Sequence, residues 1–409
     1  MKLSTKFIHG NYDLESTGAT NVPIYMSNAY AHKSPEELEN IFKGKLPGYV
    51  YSRLSNPTVL AFERRMASVE EGLATTSASS GMAAIYMAIK NVVNSGDEII
   101  ASTGLYGGTY NLISNLKDIG VKTIFLDEIN KETLEQNITD KTKLVYGETI
   151  GNPKLDILDI ETIGGVCKEK GVVFMVDSTI STPYLINPIK YGADIIIHST
   201  SKYINGTSSA IGGIIVDCGS EKYKNDRYKT FHQYVRKYGR IAFTAKLRST
   251  EARDIGAAMS PFTAFLSLTG IETLSLRMEK HCENAMKVAE YLEKNNKITG
   301  VNYPNLKISK YYDLATKYYQ NGASGILTFR LGSKEIAYKF LRKLKLILYL
   351  TNMGDCKTSI IHPCSTICVR NTEEEKKKMS VYDDLVRLSV GIEDVDDILE
   401  DIDRALKAI

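Results

Sequence analysis

The chain is predicted to be an α/β protein, with a mainly parallel β-sheet covered by helices on both faces and a smaller α+β unit after it. Short apolar runs of strand length alternate with helical stretches between residues 62 and 258, at the spacing that β-α-β crossovers need. Several of those runs end in polar or charged residues, as at Asp177 and Ser199, and so bring reactive side chains to one edge of the sheet. The 409 residues, 43% hydrophobic and 24% charged, are enough for two or more packed domains.

Taken in order, residues 1–61 show little periodicity and are rich in Tyr, Asn, Gly and Pro, ending in Gly48-Tyr-Val-Tyr-Ser-Arg-Leu-Ser-Asn-Pro-Thr58. Such a segment reads as an arm that packs on something else. Residues 62–258 follow as a first domain. Apolar spacing predicts helices over 61–71, 80–93 and 160–170, and strands over 98–102, 123–126, 144–148, 172–177, 194–199 and 213–216. Residues 259–409 make a second, smaller domain, which opens with one long helix over 268–296 and closes on 395–409. No internal repeat or low-complexity tract interrupts this order.

Composition excludes several classes of function. Basic residues exceed acidic ones by only 51 to 48, spread along the chain apart from Lys376-Lys-Lys378, so no nucleic-acid partner is suggested. The chain lacks the run of roughly eighteen apolar residues that a membrane span needs, and its first nine residues lack a secretory apolar region. The expected location is the cytoplasm. Cys167, Cys218, Cys282, Cys356, Cys364 and Cys368 form no CxxC pair, so neither a zinc site nor a disulfide framework is indicated, and no metal is expected.

Lys202 lies in the run Asp194-Ile-Ile-Ile-His-Ser-Thr-Ser-Lys-Tyr203, one amine at the end of an apolar strand, flanked by hydroxyls, with Gly206, Gly212 and Gly213 just downstream. A single lysine at a strand end is ordinarily an exposed one, and its context has to argue otherwise. By the period-two rule Ser199 and Ser201 share a face and can bind one anion, while Lys202 points elsewhere. Ser79-Ser-Gly-Met-Ala-Ala84 opens a helix after a small-residue segment, so the amides of Gly81 and Met82 face outward as an anion cradle.

Asp177 ends another apolar strand, where a carboxylate loses hydration and needs a cationic partner such as a protonated pyridine nitrogen. Capping of the following loop is the plainer alternative. Tyr106, in Gly104-Leu-Tyr-Gly-Gly-Thr109, follows a further sheet edge, and its glycines let a flat ring approach closely. Alone it would pass for a core aromatic. Together an amine, an anion cradle, a strand-end carboxylate and a stacking ring are what pyridoxal phosphate requires, the lysine holding its aldehyde as a Schiff base.

The chain resembles the Cys/Met metabolism family of fold type I pyridoxal-phosphate enzymes from about Val22 to Ala405, and its wording is most similar to the O-acetylhomoserine sulfhydrylase branch. The stretches that carry the resemblance include Tyr51-Ser-Arg-Leu-Ser-Asn-Pro-Thr58, Leu105-Tyr-Gly-Gly-Thr-Tyr-Asn-Leu112, Glu148-Thr-Ile-Gly-Asn-Pro153 and Asp177-Ser-Thr-Ile-Ser-Thr-Pro-Tyr-Leu185. His198-Ser-Thr-Ser-Lys-Tyr203, Gly270-Ile-Glu-Thr-Leu-Ser-Leu-Arg277, Ile361-His-Pro363 and Val386-Arg-Leu-Ser-Val-Gly-Ile-Glu-Asp394 continue it. Ser178, Ser201 and the pair Gly206-Thr207 depart from the family's usual residues without removing a group the cofactor needs.

The resemblance implies a seven-stranded sheet and assigns roles. Lys202 would carry the cofactor, Asp177 pair with its ring nitrogen and Tyr106 stack on its ring. Ser80, Gly81, Met82, Ser199 and Ser201 would bind its phosphate, and Asn152 would sit near its phenolic oxygen and the substrate. Arg387 would grip the substrate α-carboxylate. Tyr51 and Arg53 would reach the cofactor phosphate of a neighbouring subunit, Tyr51 also serving catalysis, in a homotetramer built from catalytic dimers.

His362, before a proline in an apolar run, reads as support for a loop. The implied activity is a γ-replacement that turns O-acetyl-L-homoserine and sulfide, or another thiol, into L-homocysteine and acetate. Elimination from methionine, cysteine or homocysteine, and cystathionine synthesis, are the alternatives. A Cys two positions after the stacking tyrosine marks lyases that cleave methionine; here that position is Gly108.

Overall fold

The computed structural model describes residues 1–11 and 18–409. Seven strands form the larger sheet: β1 (Ala74–Ala78), β2 (Glu98–Ser102), β3 (Lys122–Leu126), β4 (Thr142–Glu148), β5 (Val173–Asp177), β6 (Ile195–Ser199) and β7 (Gly213–Asp217). Their order is β1-β7-β6-β5-β4-β2-β3, with β7 antiparallel to both neighbours and the remaining pairs parallel.

Alternation along these strands sends successive side chains to two separate cores, as a sheet covered on both faces requires. Ile100, Val145, Phe174, Val176 and Ile196 face the helices Pro57–Glu70 and Ile160–Glu169 through Met66 and Ile163. Ile99, Leu144, Tyr146, Met175 and Ile197 face the helix Gly81–Val92 through Ile85, Ala88 and Ile89. In register, Glu148 pairs with Asp177 and Asp177 with Ile197, so the carboxyl ends of β4, β5 and β6 lie side by side.

The strand β1 carried no apolar signal in its sequence, Ala-Thr-Thr-Ser-Ala. Its serine is met by a buried carboxylate instead: Glu63 Oε1 accepts from Ser77 N at 2.7 Å and from Ser77 Oγ at 2.9 Å. The first sixty residues also hold more structure than their aperiodic wording predicts, in helices Leu3–His9 and Pro35–Phe42. Phe7 is fully buried, and Arg65 Nη1 donates to its carbonyl at 2.5 Å.

A second sheet comprises β8 (Gly300–Asn302), β9 (Ile326–Arg330), β10 (Leu348–Tyr349), β11 (Ser359–Ile361) and β12 (Leu385–Ser389), ordered β10-β11-β12-β9-β8. Val386 and Leu388 of β12 share a core with Ile398, Ile402 and Ala405 of the helix Val395–Lys407. The single helix predicted over 268–296 is two, Pro261–Glu272 and Leu274–Glu293, broken at Thr273.

Arg277 accounts for the break. Its Nη2 donates to Gly270 O at 2.6 Å, its Nη1 to Tyr203 O at 2.6 Å and its Nε to Thr273 Oγ1 at 3.1 Å, so one buried guanidinium ties the helix junction to the turn after Lys202. A Cβ on Gly270 would lie 2.4 Å from Ile204 O, so only glycine lets the helix approach this turn.

The same turn rests on His281, whose Nδ1 donates to Val390 O at 2.7 Å and whose ring meets Tyr203 edge-on at 5.0 Å between centroids. Burial, the largest influence, pushes the His281 pKa down to about 4. An unfolded histidine takes its proton near pH ~6.5, so between about 6.5 and 4 the unfolded chain binds more protons and stability falls as the pH falls. The full shift is worth about 3 kcal/mol. The melting midpoint is expected to drop across this window and to drop less in His281→Gln. Equal slopes in the two proteins would contradict the assignment. Among the described residues no helix is long and apolar enough to cross a membrane.

Candidate active site

The carboxyl ends of β4, β5 and β6, the start of the Gly81–Val92 helix and the β10–β11 connection enclose one cavity of about 590 Å³. Ser80, Gly81, Met82, Tyr106, Asn152, Asp177, Ser199, Ser201, Lys202 and Arg387 all line it. Sequence reasoning named each of them. Glu148, Thr179, Ser208, Thr351, Asn352, Met353 and Ile367 are among the further residues of its walls, none of them assigned a role from sequence.

Lys202 is not the last residue of β6, which ends at Ser199; it sits in the turn that follows, with its amide donating to Ser199 O at 3.3 Å and its carbonyl accepting from Gly206 N at 2.8 Å. The expectation that Lys202 points away from Ser199 and Ser201 is therefore corrected. Strand alternation stops at Ser199, and the turn swings all three side chains into one cavity. Ser201 Oγ is also occupied locally, accepting from Gly212 N at 3.0 Å.

Ser80 caps the Gly81–Val92 helix, its Oγ accepting from Ala83 N at 3.1 Å, so the first amides, on Gly81 and Met82, stay available at the positive end of the helix. The floor beneath them is tight. A Cβ on Gly81 would lie 2.6 Å from Ser199 Cβ, and one on Gly213 would lie 2.2 Å from Ser80 O. Thr179 joins this corner to Asp177: its Oγ1 accepts from Ser199 N at 2.8 Å and its amide donates to Asp177 Oδ1 at 2.9 Å.

Two carboxyl groups share the strand ends. Burial raises the Asp177 pKa, opposed by the hydrogen bonds from Thr179 and by nearby His198. Glu148 is pushed well above the ordinary carboxylate range, first by burial and then by the charge of Asp177, while its Oε1 accepts from Tyr106 N at 2.7 Å. That bond fixes the loop from which the Tyr106 ring projects, at 40% exposure, over the cavity. A Cβ on Gly108 would come within 2.6 Å of Tyr106 Cε1, so the ring holds its place because residue 108 has no side chain.

Arg387, on the central strand of the second sheet, is 2% exposed. Its Nη1 donates to Asn152 Oδ1 at 2.9 Å and its Nη2 to the carbonyls of Thr351 and Asn352 at 3.2 and 3.3 Å. Its Nε is buried with no partner among the described residues. Burial lowers the Lys202 pKa to about 8, helped by the Arg387 charge, which places a substantial neutral fraction of the amine near physiological pH.

Tyr51 and Arg53 do not reach this cavity within one chain. Tyr51 is 41% exposed, Arg53 lies over its ring at 5.6 Å, and Arg53 Nη1 donates to Arg253 O at 2.5 Å. His362 is also outside it, with Nδ1 2.8 Å from Ser365 Oγ and Nε2 2.7 Å from Asp383 O, holding a loop together. Cys364 sits beside that loop with its thiol donating to Asp383 Oδ1 at 3.0 Å, and Cys368 is fully buried.

The model of the Cys/Met metabolism PLP-dependent enzymes matches residues 4–407. The chain belongs to that family. It is 42% identical to an O-acetyl-L-homoserine sulfhydrylase of Leptospira meyeri over 100% of this chain and 97% of the relative. It is 39% identical to a homocysteine synthase of Schizosaccharomyces pombe over 96% and 95%. A Campylobacter jejuni structure described as an O-acetylhomoserine (thiol)-lyase, with N'-pyridoxyl-lysine-5'-monophosphate in its chain, superposes with a TM-score of 0.96 at 38% identity and full coverage of both chains.

This Cys/Met metabolism enzyme is PLP-dependent, and the residues present fit the group. Glycine at 81 and 213 lets the helix start pack directly on the ends of β6 and β7, with the outward amides of Gly81 and Met82 at the cavity wall. Arg387 Nε is a buried donor awaiting an acceptor, and such a donor is costly unless a ligand satisfies it.

Proposed function

We propose that the protein is an O-acetylhomoserine sulfhydrylase, which exchanges the γ-acetoxy group of O-acetyl-L-homoserine for sulfide and releases L-homocysteine and acetate. The observation that carries this reading is the one cavity that Lys202 and Arg387 both line, in a chain whose full-length relatives include several of that name. Pyridoxal phosphate, when bound, withdraws electrons from the substrate α-carbon and so eases loss of its proton.

Lys202 Nζ, neutral in part near its pKa of about 8, takes that proton and returns it to carbon as the acetate leaves and sulfide adds. Asp177 would hold a negative charge beside the ring nitrogen, and Tyr106 would cover the ring. The amides of Gly81 and Met82, with Ser80, Ser199 and Ser201, would bind the phosphate. Arg387 and Asn152 orient the substrate by its α-carboxylate. Tyr51 and Arg53, which lie outside their own chain's cavity, serve the phosphate of an adjoining subunit, the catalytic unit being a dimer and the assembly a tetramer of two dimers.

Gly108 supports replacement over elimination, because it stands two positions after Tyr106, where lyases that cleave methionine carry a cysteine. The test is a side-by-side assay of the holoenzyme with O-acetylhomoserine plus sulfide and with methionine, cysteine or homocysteine alone. Homocysteine formation is expected to exceed 2-oxoacid release by at least roughly tenfold in kcat/KM, about 1.4 kcal/mol of transition-state preference. Comparable or faster 2-oxoacid release would overturn the replacement reading.

A further inference from the structure

Lys202 is met by a residue that neither its neighbourhood in sequence nor the helix start supplies. Its Nζ donates to Oδ1 of Asn352 at 2.6 Å, across 150 positions of chain. On the other side of the same amide, Asn352 Nδ2 donates to Ser208 Oγ at 2.7 Å, and the Ser208 hydroxyl donates to Asp355 Oδ2. Asp355 is 8% exposed, and its Oδ1 accepts from Lys357 N at 2.8 Å.

Only one direction of hydrogen bonding satisfies this chain. The Asp355 carboxylate only accepts and takes the one proton of Ser208, so Ser208 accepts from Asn352 Nδ2 and the amide oxygen is left facing the amine, charged or neutral. Ser208 holds a left-handed φ of +55°, a conformation that costs an L-residue roughly 1–2 kcal/mol and that the tie to Asn352 and Asp355 sustains.

We propose that Asn352 is a positioning residue for Lys202: it holds the amine whenever the amine is not bonded to the cofactor, at a place from which it can capture the cofactor and take the substrate proton. This inference rests on the reading of Lys202 as the cofactor-bearing lysine. A neutral amide suits the task because it accepts from the amine in either protonation state without adding a full negative charge. A carboxylate at the same position would hold the proton on the amine and disable it as nucleophile and base. Arg387, Asp177, Glu148 and Tyr106 also face Lys202 across the cavity, and Asp355 and Lys357 stand at the far end of the chain of bonds. Their influence is common to every variant at position 352 and cancels in the comparison.

The experiment mixes cofactor-free, full-length protein with pyridoxal phosphate across a pH series and follows the absorbance of the lysine-bound cofactor. The wild-type capture rate is expected to rise with pH about a midpoint near the amine's pKa of about 8. In Asn352→Asp the midpoint moves up by roughly one to three pH units, and in Asn352→Ala it moves down, because an acceptor that favours the ammonium is gone. Ser208→Ala, which frees the amide without touching the amine, moves it down by a smaller amount and gives a second reading if a variant at 352 does not fold.

Opposed shifts from one position are not what loss of structure produces. Midpoints within about 0.3 unit of wild type, or shifts of one sign in both Asn352 variants, would overturn the proposal. Lys202→Ala separates the two levels of argument. If it still captures the cofactor, the reading of Lys202 fails; if it captures none while the Asn352 variants keep the wild-type midpoint, only the role of Asn352 fails.

Discussion

Lys202→Ala is expected to fold as the wild type does and to lose turnover by roughly 10⁴-fold or more, the scale of removing one group that is both the covalent tether and the proton carrier. The turn around it is held by its backbone, through Lys202 N to Ser199 O and Gly206 N to Lys202 O, and by Arg277 below, so truncating the side chain leaves these ties in place. Only one side-chain bond is lost, the one to Asn352. Circular dichroism and the oligomeric state should match wild type while homocysteine formation disappears. A variant with activity within about tenfold of wild type would contradict the assignment, since a proton carrier alone contributes about 10²-fold or more.

Arg387→Ala is expected to lower kcat/KM for O-acetylhomoserine by roughly 10³-fold, the equivalent of about 4 kcal/mol for two charge-assisted hydrogen bonds to the α-carboxylate. The loss has two physical parts. The substrate carboxylate loses its planar partner, and Asn152 Oδ1 with the carbonyls of Thr351 and Asn352 loses the donors that hold that wall of the cavity. Arg387→Lys should recover little, because one ammonium cannot serve Asn152, two carbonyls and the substrate from a single point. The α-carboxamide analogue of the substrate separates the parts: if Arg387 grips the carboxylate, the variant loses far less relative to wild type on the analogue than on the substrate. A variant that loses as much on the analogue as on the substrate would show that Arg387 only braces the wall.

The strands of the larger sheet were legible because burial on both faces leaves each as an apolar run with a clear end, as in Val173–Asp177 and Ile195–Ser199. Only β1 escaped, since Thr75 and Ser77 are satisfied by Glu63 and Thr76 by Arg248, partners that no local pattern reveals. The break at Thr273 was hidden for a similar reason. Apolar spacing runs through it, and the guanidinium that interrupts the helix is aimed at carbonyls near Lys202.

In the site, the residues at strand ends and at the helix start could be placed from sequence, because those positions follow from the alternation of elements. Asn352 and Ser208 could not. They are polar loop residues without periodicity, and only the packing of the second sheet against the first brings Asn352 to the amine. The direction of Lys202 was misjudged because a strand rule was carried three residues past the end of its strand.

Borohydride reduction of the holoprotein, followed by proteolysis and mass mapping, tests the account most directly. A pyridoxyl phosphate group is expected on Lys202 and on no other lysine. A label on a different lysine, or none on protein that has been saturated with the cofactor, would contradict it.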